Sequence, residues 1–455
     1  MRSAISCIAC VVLTLLSWGM PIAAAQSSAY SVVVITIGGA TGAAIAPLLG
    51  VNIGPAPAGA GGADLTQAYQ QLGVNLIRTH DYYGPLDMAV MYPDRKRDPA
   101  DPQAYNFGAS DAMWRAIVDG GFEPYFRLGD SWNNARPPAA AEERANWVRA
   151  EVVRHYRQGQ WSGFTTPFRY VEIWNEPDSR QFWPPPHTAR EYFQLYVETA
   201  RALKQAFPEL LVGGPGVTPA GALAPQGQKW VRSFLIYVST NDAPMDFFSW
   251  HLYANDPNDW ARTARFYRNE LDALGFQATK MHVTEWNTDV RRIGDRSAEA
   301  LALRTGGRGA AILTAAWIAM QENDVAVSTF YRGPDPAMDA PTVYGMFYAN
   351  GQPKRVALAF SLWARLVAHP HRVTVASTPG AALWMLAGRD DVGEIALLIA
   401  NPTSTEFHYT LAETETRQLR LLQVSDASDQ VQSMIIDGDE IAIAGETVQL
   451  VIIAP

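Results

Sequence analysis

The stretch Arg169-Tyr170-Val171-Glu172-Ile173-Trp174-Asn175-Glu176-Pro177 decides the fold. From Arg169 to Trp174 it is mostly β-branched and aromatic, and it reads as one short strand. Taken alone, Asn175-Glu176-Pro177 reads as a helix start: a capping Asn, an acid at the positive end of the dipole, and Pro in the first turn. The company this strand keeps argues for another reading. Similar short runs stand at Leu49–Ile53, Asn75–His80, Glu123–Leu128, Leu210–Gly214, Phe247–Tyr253, Met281–Glu285 and Val325–Tyr331. Helix-favouring segments fall between them at Ser110–Asp119, Ala139–Arg157, Ala189–Ala206, Gln228–Val238, Trp260–Leu274 and Ala298–Gln321. Such alternation over roughly 300 residues is the pattern of a (β/α)8 TIM barrel. A doubly wound open sheet would announce a glycine-rich phosphate turn after its first strand. Gly38-Gly39-Ala40-Thr41-Gly42 matches that turn poorly and precedes the first barrel strand.

Beyond a helix at Val356–Leu366 the texture changes. Arg372–Ala376, Ala382–Ala387, Glu394–Ala400, Phe407–Leu411, Leu419–Val424, Met434–Ile436, Ile441–Ile443 and Thr447–Ile452 are short strands separated by turn residues. They predict a C-terminal antiparallel β-sandwich domain. The expected organisation is a leader at 1–25, a segment at 26–48 whose strand-like Tyr30–Ile37 pairs with the β-domain, a barrel at 49–366 and the β-domain at 367–455.

The leader reading rests on Arg2, the uncharged apolar run Ala4–Leu16 and the small residues Ala23-Ala24-Ala25, the marks of a cleaved signal peptide. It implies a secreted or periplasmic protein with no membrane insertion of the mature chain. Both cysteines, Cys7 and Cys10, fall in that run, so the remainder has no thiol and must draw its stability from a large core. A net charge of −9 without any basic run argues against nucleic acid or an anionic membrane as partner. Fourteen Trp and eighteen Tyr suit a large core or a surface that stacks on sugar rings.

Active sites of barrels form at the C-terminal ends of the strands. Glu176 directly follows the fourth strand and Glu285, in Thr284-Glu285-Trp286-Asn287, ends the seventh. Breaking a glycosidic bond needs one carboxylic acid to protonate the leaving oxygen. It also needs one carboxylate to attack the anomeric carbon or to activate water. Glu172 lies deeper in the fourth strand and is given a supporting role. No His-Glu-x-x-His, phosphate loop, calcium loop or Gly-x-Ser-x-Gly occurs, so neither metal nor cofactor is expected.

An ordered set of motifs resembles glycoside hydrolase family 39, the β-xylosidases and α-L-iduronidases of the large clan of retaining barrel hydrolases. It includes Ile77-Arg78-Thr79-His80 with Asp87-Met88, Tyr105-Asn106-Phe107, Gly121-Phe122-Glu123-Pro124 and Val171 to Asp178 with Phe182-Trp183. Tyr192-Phe193-Gln194-Leu195-Tyr196, Val212-Gly213-Gly214-Pro215, Asp246-Phe247, His251-Leu252-Tyr253, Thr284 to Thr288 and Gly351-Gln352-Pro353-Lys354 complete it. The resemblance implies Glu176 as general acid/base and Glu285 as nucleophile of a double displacement. It implies Asn175 on the sugar 2-hydroxyl, Arg78 holding the nucleophile ionised, and His80, His251 and Tyr253 on hydroxyls. Trp286, Trp132 and Tyr331 are candidate stacking platforms, with plain packing as the competing reading for each; His282, deeper in its strand, is read as structural. Tyr82-Tyr83-Gly84-Pro85 and Arg332-Gly333-Pro334-Asp335 depart from the family's usual continuation and bear on which sugar is taken.

Three functions fit these residues. The first is a retaining, β-xylosidase-like exo-glycosidase acting on oligo- or polysaccharide. The second is an endo-acting hydrolase of a bacterial exopolysaccharide. The third is a carbohydrate-binding protein on the same scaffold, expected to have lost one carboxylate where this chain retains both.

Overall fold

A computed structural model describes residues 32–56, 62–290, 292, 294–336, 343–412 and 418–455. The leader at 1–25 lies outside the described residues. Strand β1 (Val33–Ala44) comes first, followed by β2 (Gly50–Asn52), β3 (Leu76–Arg78), β4 (Glu123–Leu128), β5 (Tyr170–Ile173), β6 (Leu211–Val217), β7 (Phe247–Tyr253), β8 (Lys280–Asn287) and β9 (Val325–Phe330). Strands β2 to β9 run parallel and close into a barrel, with Gly50 of β2 opposite Thr329 of β9. Helices cover the outside and side chains fill the inside, so β5, β7 and β8 are buried along almost their whole length. The helix Ala189–Ala206 shows how locally the sequence specifies these elements. Thr188 accepts from the Glu191 amide while the Glu191 side chain accepts from Thr188, satisfying amides that a helix start would otherwise leave bare.

Three expectations about helices need correction. A helix at Thr66–Leu72, unmarked in the pattern, lies between β2 and β3, where Asp64 Oδ1 accepts from the Thr66 amide at 2.8 Å. The expected helix Ala139–Arg157 is two, Ala141–Val148 and Val152–Gln158, because the Glu151 amide donates to Tyr105 Oη (3.0 Å) in place of a helical carbonyl. Ala298–Gln321 also divides, into Ala298–Arg304 and Gly307–Glu322. There the chain presses onto the C-terminal sheet: a Cβ on Gly307 would stand 2.5 Å from the Glu446 carbonyl, and its amide donates to Asp426 Oδ1 at 2.7 Å.

The C-terminal strands are β10 (His371–Ser377), β11 (Trp384–Arg389), β12 (Ile395–Asn401), β13 (Phe407–Leu411), β14 (Leu419–Val424), β15 (Gln432–Ile436), β16 (Glu440–Ile443) and β17 (Thr447–Ile453). With β1 they form one nine-stranded sheet in the order β15-β14-β17-β12-β11-β10-β1-β13-β16. The sheet rolls over its own core. Tyr409 Oη of β13 donates to Gln449 Oε1 of β17 (2.9 Å), although these strands stand five places apart in that order. Val33, Ile35, Leu397, Ile399, Tyr409, Ile443 and Val451 share the enclosed cluster. Strand β1 is antiparallel to β10 (Ile35 opposite Ser377) and parallel to β13 (Val33 opposite Tyr409). The stretch Gly38–Gly42 is therefore sheet and not a phosphate turn. The other face of the sheet packs through Leu398, Val448 and Leu450 on the cluster that holds Trp317 and Trp363 of the barrel's last helices. Among the described residues no helix is long and apolar enough to cross a membrane.

Candidate active site

The barrel interior is layered. At its base His282 stacks on Phe247 (4.2 Å between centroids) and meets Tyr125 Oη at 3.0 Å. Burial pushes its pKa down to about 3, so it is a neutral packing residue, as the sequence suggested.

Above it lies a polar layer built around Arg78, which ends β3 fully buried. Arg78 donates to Glu172 Oε2 (2.7 Å), Asn52 Oδ1 (3.0 Å), Asn175 Oδ1 (2.6 Å) and Glu285 Oε1 (2.9 Å). Glu172 is balanced further by Thr284 Oγ1 at 2.8 Å. Burial alone would lower the pKa of Arg78, but Glu172 and Glu285 more than offset it, so the guanidinium stays charged. We expect Arg78→Met to cost about 3–5 kcal/mol, because two buried carboxylates lose their counter-charge. Chemical denaturation checks this, and a loss under about 1 kcal/mol would refute it.

Glu285 sits on this layer. Its Oε1 faces Arg78 and His80 Nε2 (3.2 Å), and its Oε2 accepts from Tyr253 Oη (2.9 Å). Burial acts to raise its pKa, but His251, His80 and Arg78 together hold it well below the usual carboxylate range. Burial keeps His80 below its ordinary value.

Glu176 is set differently. The backbone after β5 takes left-handed angles at Trp174 (φ 76°) and Glu176 (φ 44°), a conformation costing about 1–3 kcal/mol per non-glycine residue. The Glu176 amide is anchored on the Gly216 carbonyl at 2.9 Å. Gly216 must be small, since a Cβ there would stand 3.2 Å from His251 Nε2 and 3.3 Å from Glu172 Oε1. No helix begins at Pro177, and the next one starts at Ala189, so the helix-cap reading of Asn-Glu-Pro fails. Burial raises the Glu176 pKa to about 7, with Glu285 and Asp178 adding to it, against a 2.8 Å contact with His251 Nδ1. For His251, burial is outweighed by the two carboxylates and its pKa is raised.

One oxygen each of Glu176 and Glu285 and a nitrogen of His251 lie within 4.8 Å of one another. That set has ligand-type atoms, as does the cluster of His369, Asp390 and Glu394, beside β10 and the turn between β11 and β12. Hydrogen bonding already joins each, through His251 to Glu176 and His369 to Glu394 (3.0 Å). Among the described residues, Asn175 Nδ2, His80 Nδ1 and His251 Nε2 have no partner.

The other candidates divide. Tyr331 reaches this region, donating to Asp81 Oδ2 at 2.6 Å with its ring 6.2 Å from Tyr253. Trp132 stands half exposed on the loop after β4. Trp286 is not a platform: it is fully buried between Trp317 and Phe330. Side chains alternate along a strand, so with Glu285 turned inward its neighbour must face the helices. The sequence reading missed Asn52 and Asp81, which lie at or just beyond strand ends where the barrel rule would have found them, and Tyr344, whose ring lies 5.6 Å from that of Tyr253; it marked Arg332 only as part of an unusual loop.

A closed eight-stranded barrel with a buried carboxylate pair at the ends of its fourth and seventh strands is the architecture of the barrel glycoside hydrolases. The sequence model of glycosyl hydrolases family 39 matches residues 62–285 of the chain. It is 28% identical over 253 residues to a β-xylosidase of Geobacillus stearothermophilus and 26% over 250 residues to one of Caldicellulosiruptor saccharolyticus. Each match spans about half the length of the relative, 48% in both cases. Among solved structures, a glucosidase from Croceicoccus marinus superposes with TM-score 0.75 at 23% identity, covering 93% of this chain and 99% of that one. A monomeric β-xylosidase from Caulobacter crescentus CB15 gives TM-score 0.68 at 18% identity, covering 93% and 99%. At such identities these likenesses speak for the fold.

Proposed function

We propose that the chain is a retaining glycosidase acting on β-xyloside-type substrates, with Glu285 as nucleophile and Glu176 as acid/base. The observation that carries this reading is the pair itself: one carboxylate held ionised, the other with its pKa raised, with oxygens inside 4.8 Å. Retaining enzymes place their carboxyl groups about 5–5.5 Å apart, inverting ones about 6.5–9.5 Å, to admit a water. The names of the curated relatives support xylose as the sugar.

The steps follow from the geometry. Oε1 of Glu285 is engaged by Arg78 and His80, which leaves Oε2, hydrogen-bonded by Tyr253 and 3.6 Å from His251 Nδ1, to attack the anomeric carbon. As that C–O bond forms, the glycosidic C–O bond breaks, and Glu176 gives its proton to the departing oxygen. The ester removes the charge of Glu285, so Glu176 stays ionised after giving up its proton and can accept one from the attacking water. The hydroxide equivalent displaces Glu285, restoring both carboxyl groups with net retention. The unpartnered Asn175 Nδ2 is a donor available to a sugar hydroxyl.

Glu176 must start protonated, so kcat/KM should fall as the pH rises through about 7. The acid limb requires Glu285 to gain a proton and should lie far below that. A pH–rate profile with its alkaline limb well above 9 or below 5 would contradict the assignment of Glu176. Following the first-formed anomer by NMR tests the reading as a whole: β-xylose from an aryl β-xyloside supports it, and α-xylose sinks it.

A further inference from the structure

We propose that Tyr83 and Trp132 form a sugar-binding subsite on the non-reducing side of the scissile bond, so that the preferred substrate carries at least one pyranose beyond the one attacked. This rests on the reading above.

Among the described residues, Tyr83 and Trp132 are the only aromatic side chains more than a third exposed, each at 51%. They lie on loops that follow neighbouring barrel strands, β3 and β4, at the mouth that holds the carboxylates. Every other described Phe, Tyr and Trp ring is at least partly covered, so these two offer bare apolar faces to a partner.

Their direction follows from the chemistry. Glu176 protonates the leaving oxygen, so the aglycone departs on its side, past β5. The attacked ring lies over Glu285 with its far end turned away from Glu176. On that far side His80 Nε2, which contacts Glu285, also lies 3.5 Å from Asp81 Oδ1. Asp81 in turn accepts from the Trp132 amide (3.2 Å) and from Tyr331 Oη (2.6 Å), and its amide donates to Ser131 Oγ (3.0 Å). One acid thus ties together the loops after β3, β4 and β9.

The platform is built rather than loose. Asp81, Tyr83 and Asn133 hold left-handed φ of 56°, 58° and 63°. Asp87 braces the same loops, accepting from Arg127 (2.7 Å), Ser131 (2.6 Å) and Asn134 (3.1 Å). Tyr83 is fixed by Arg332, which donates from Nη1 to its hydroxyl at 2.6 Å and lies 5.5 Å over its ring. Arg332 is 2% exposed, and its Nε and Nη2 have no partner among the described residues, so two donors beside the platform are uncommitted there.

The test compares kcat/KM for 4-nitrophenyl β-xylobioside and 4-nitrophenyl β-xyloside, both read on the same preparation so that any loss of folded protein cancels. Wild type should prefer the bioside by at least about ten-fold; Trp132→Ala and Tyr83→Ala should each cut that ratio several-fold, as expected for one aromatic contact, while Trp132→Phe keeps most of it. A wild-type ratio near one, or a ratio unmoved in both alanine variants, overturns the subsite and leaves the glycosidase reading intact. Cleavage of neither substrate overturns both.

Discussion

Replacing Glu285 by glutamine should lower kcat on any glycoside by on the order of 10⁴-fold or more, the scale seen when a covalent nucleophile is removed. The amide is nearly isosteric and can still meet Tyr253, so the fold should survive. What is lost is the charge that Arg78 and His80 hold in place. Glu285→Ala makes the more telling experiment. It opens space on the face from which Oε2 attacks, and added azide should restore turnover while yielding a glycosyl azide of inverted anomeric configuration. Full activity in either variant would remove Glu285 from the mechanism. Azide rescue with retained configuration would place the nucleophile elsewhere.

Glu176→Ala should behave differently, and the difference identifies its role. Losing a general acid costs typically about 10²–10⁴-fold, but only where the leaving group needs a proton. A 2,4-dinitrophenyl glycoside leaves without one, so glycosylation should be nearly spared and the glycosyl-enzyme should accumulate, because no base then activates water. An alkyl glycoside or a natural disaccharide should be almost inert. The alkaline limb of the pH profile, set by Glu176, should vanish as well. Equal losses on dinitrophenyl and alkyl glycosides would show that Glu176 acts by structure and not by proton transfer.

Much of the fold was legible because barrel strands leave a strong trace: short apolar runs, each followed by a segment of helical period. All eight barrel strands stand where the runs Leu49–Ile53 to Val325–Tyr331 predicted them. The nucleophile and acid/base candidates were legible for a related reason, since barrel function is confined to strand ends. The parts that escaped depend on contacts far along the chain. Nothing local says that Tyr105 captures the Glu151 amide or that Gly307 meets Glu446, yet those contacts divide two helices. Asp81 was overlooked because an acid in a turn beside His80 looks like ordinary surface. Only the fold brings it to Trp132 and Tyr331, some 50 and 250 positions away. Trp286 was left open between stacking and packing, although the two-residue period of its strand already placed it outside the barrel.

Strand β1 has a consequence for how the molecule is made. Its partners β10 and β13 are synthesised more than 300 residues later, so Val33 and Ile35 must wait for nearly the whole chain before they are covered. Such late closure slows folding, and until then it leaves a strand edge open to neighbouring chains. It also ties the β-domain to the barrel at both chain ends, so cutting after the barrel strips β1 of its sheet. For anyone transplanting this barrel, the smallest unit that can be moved whole runs from β1 to β17.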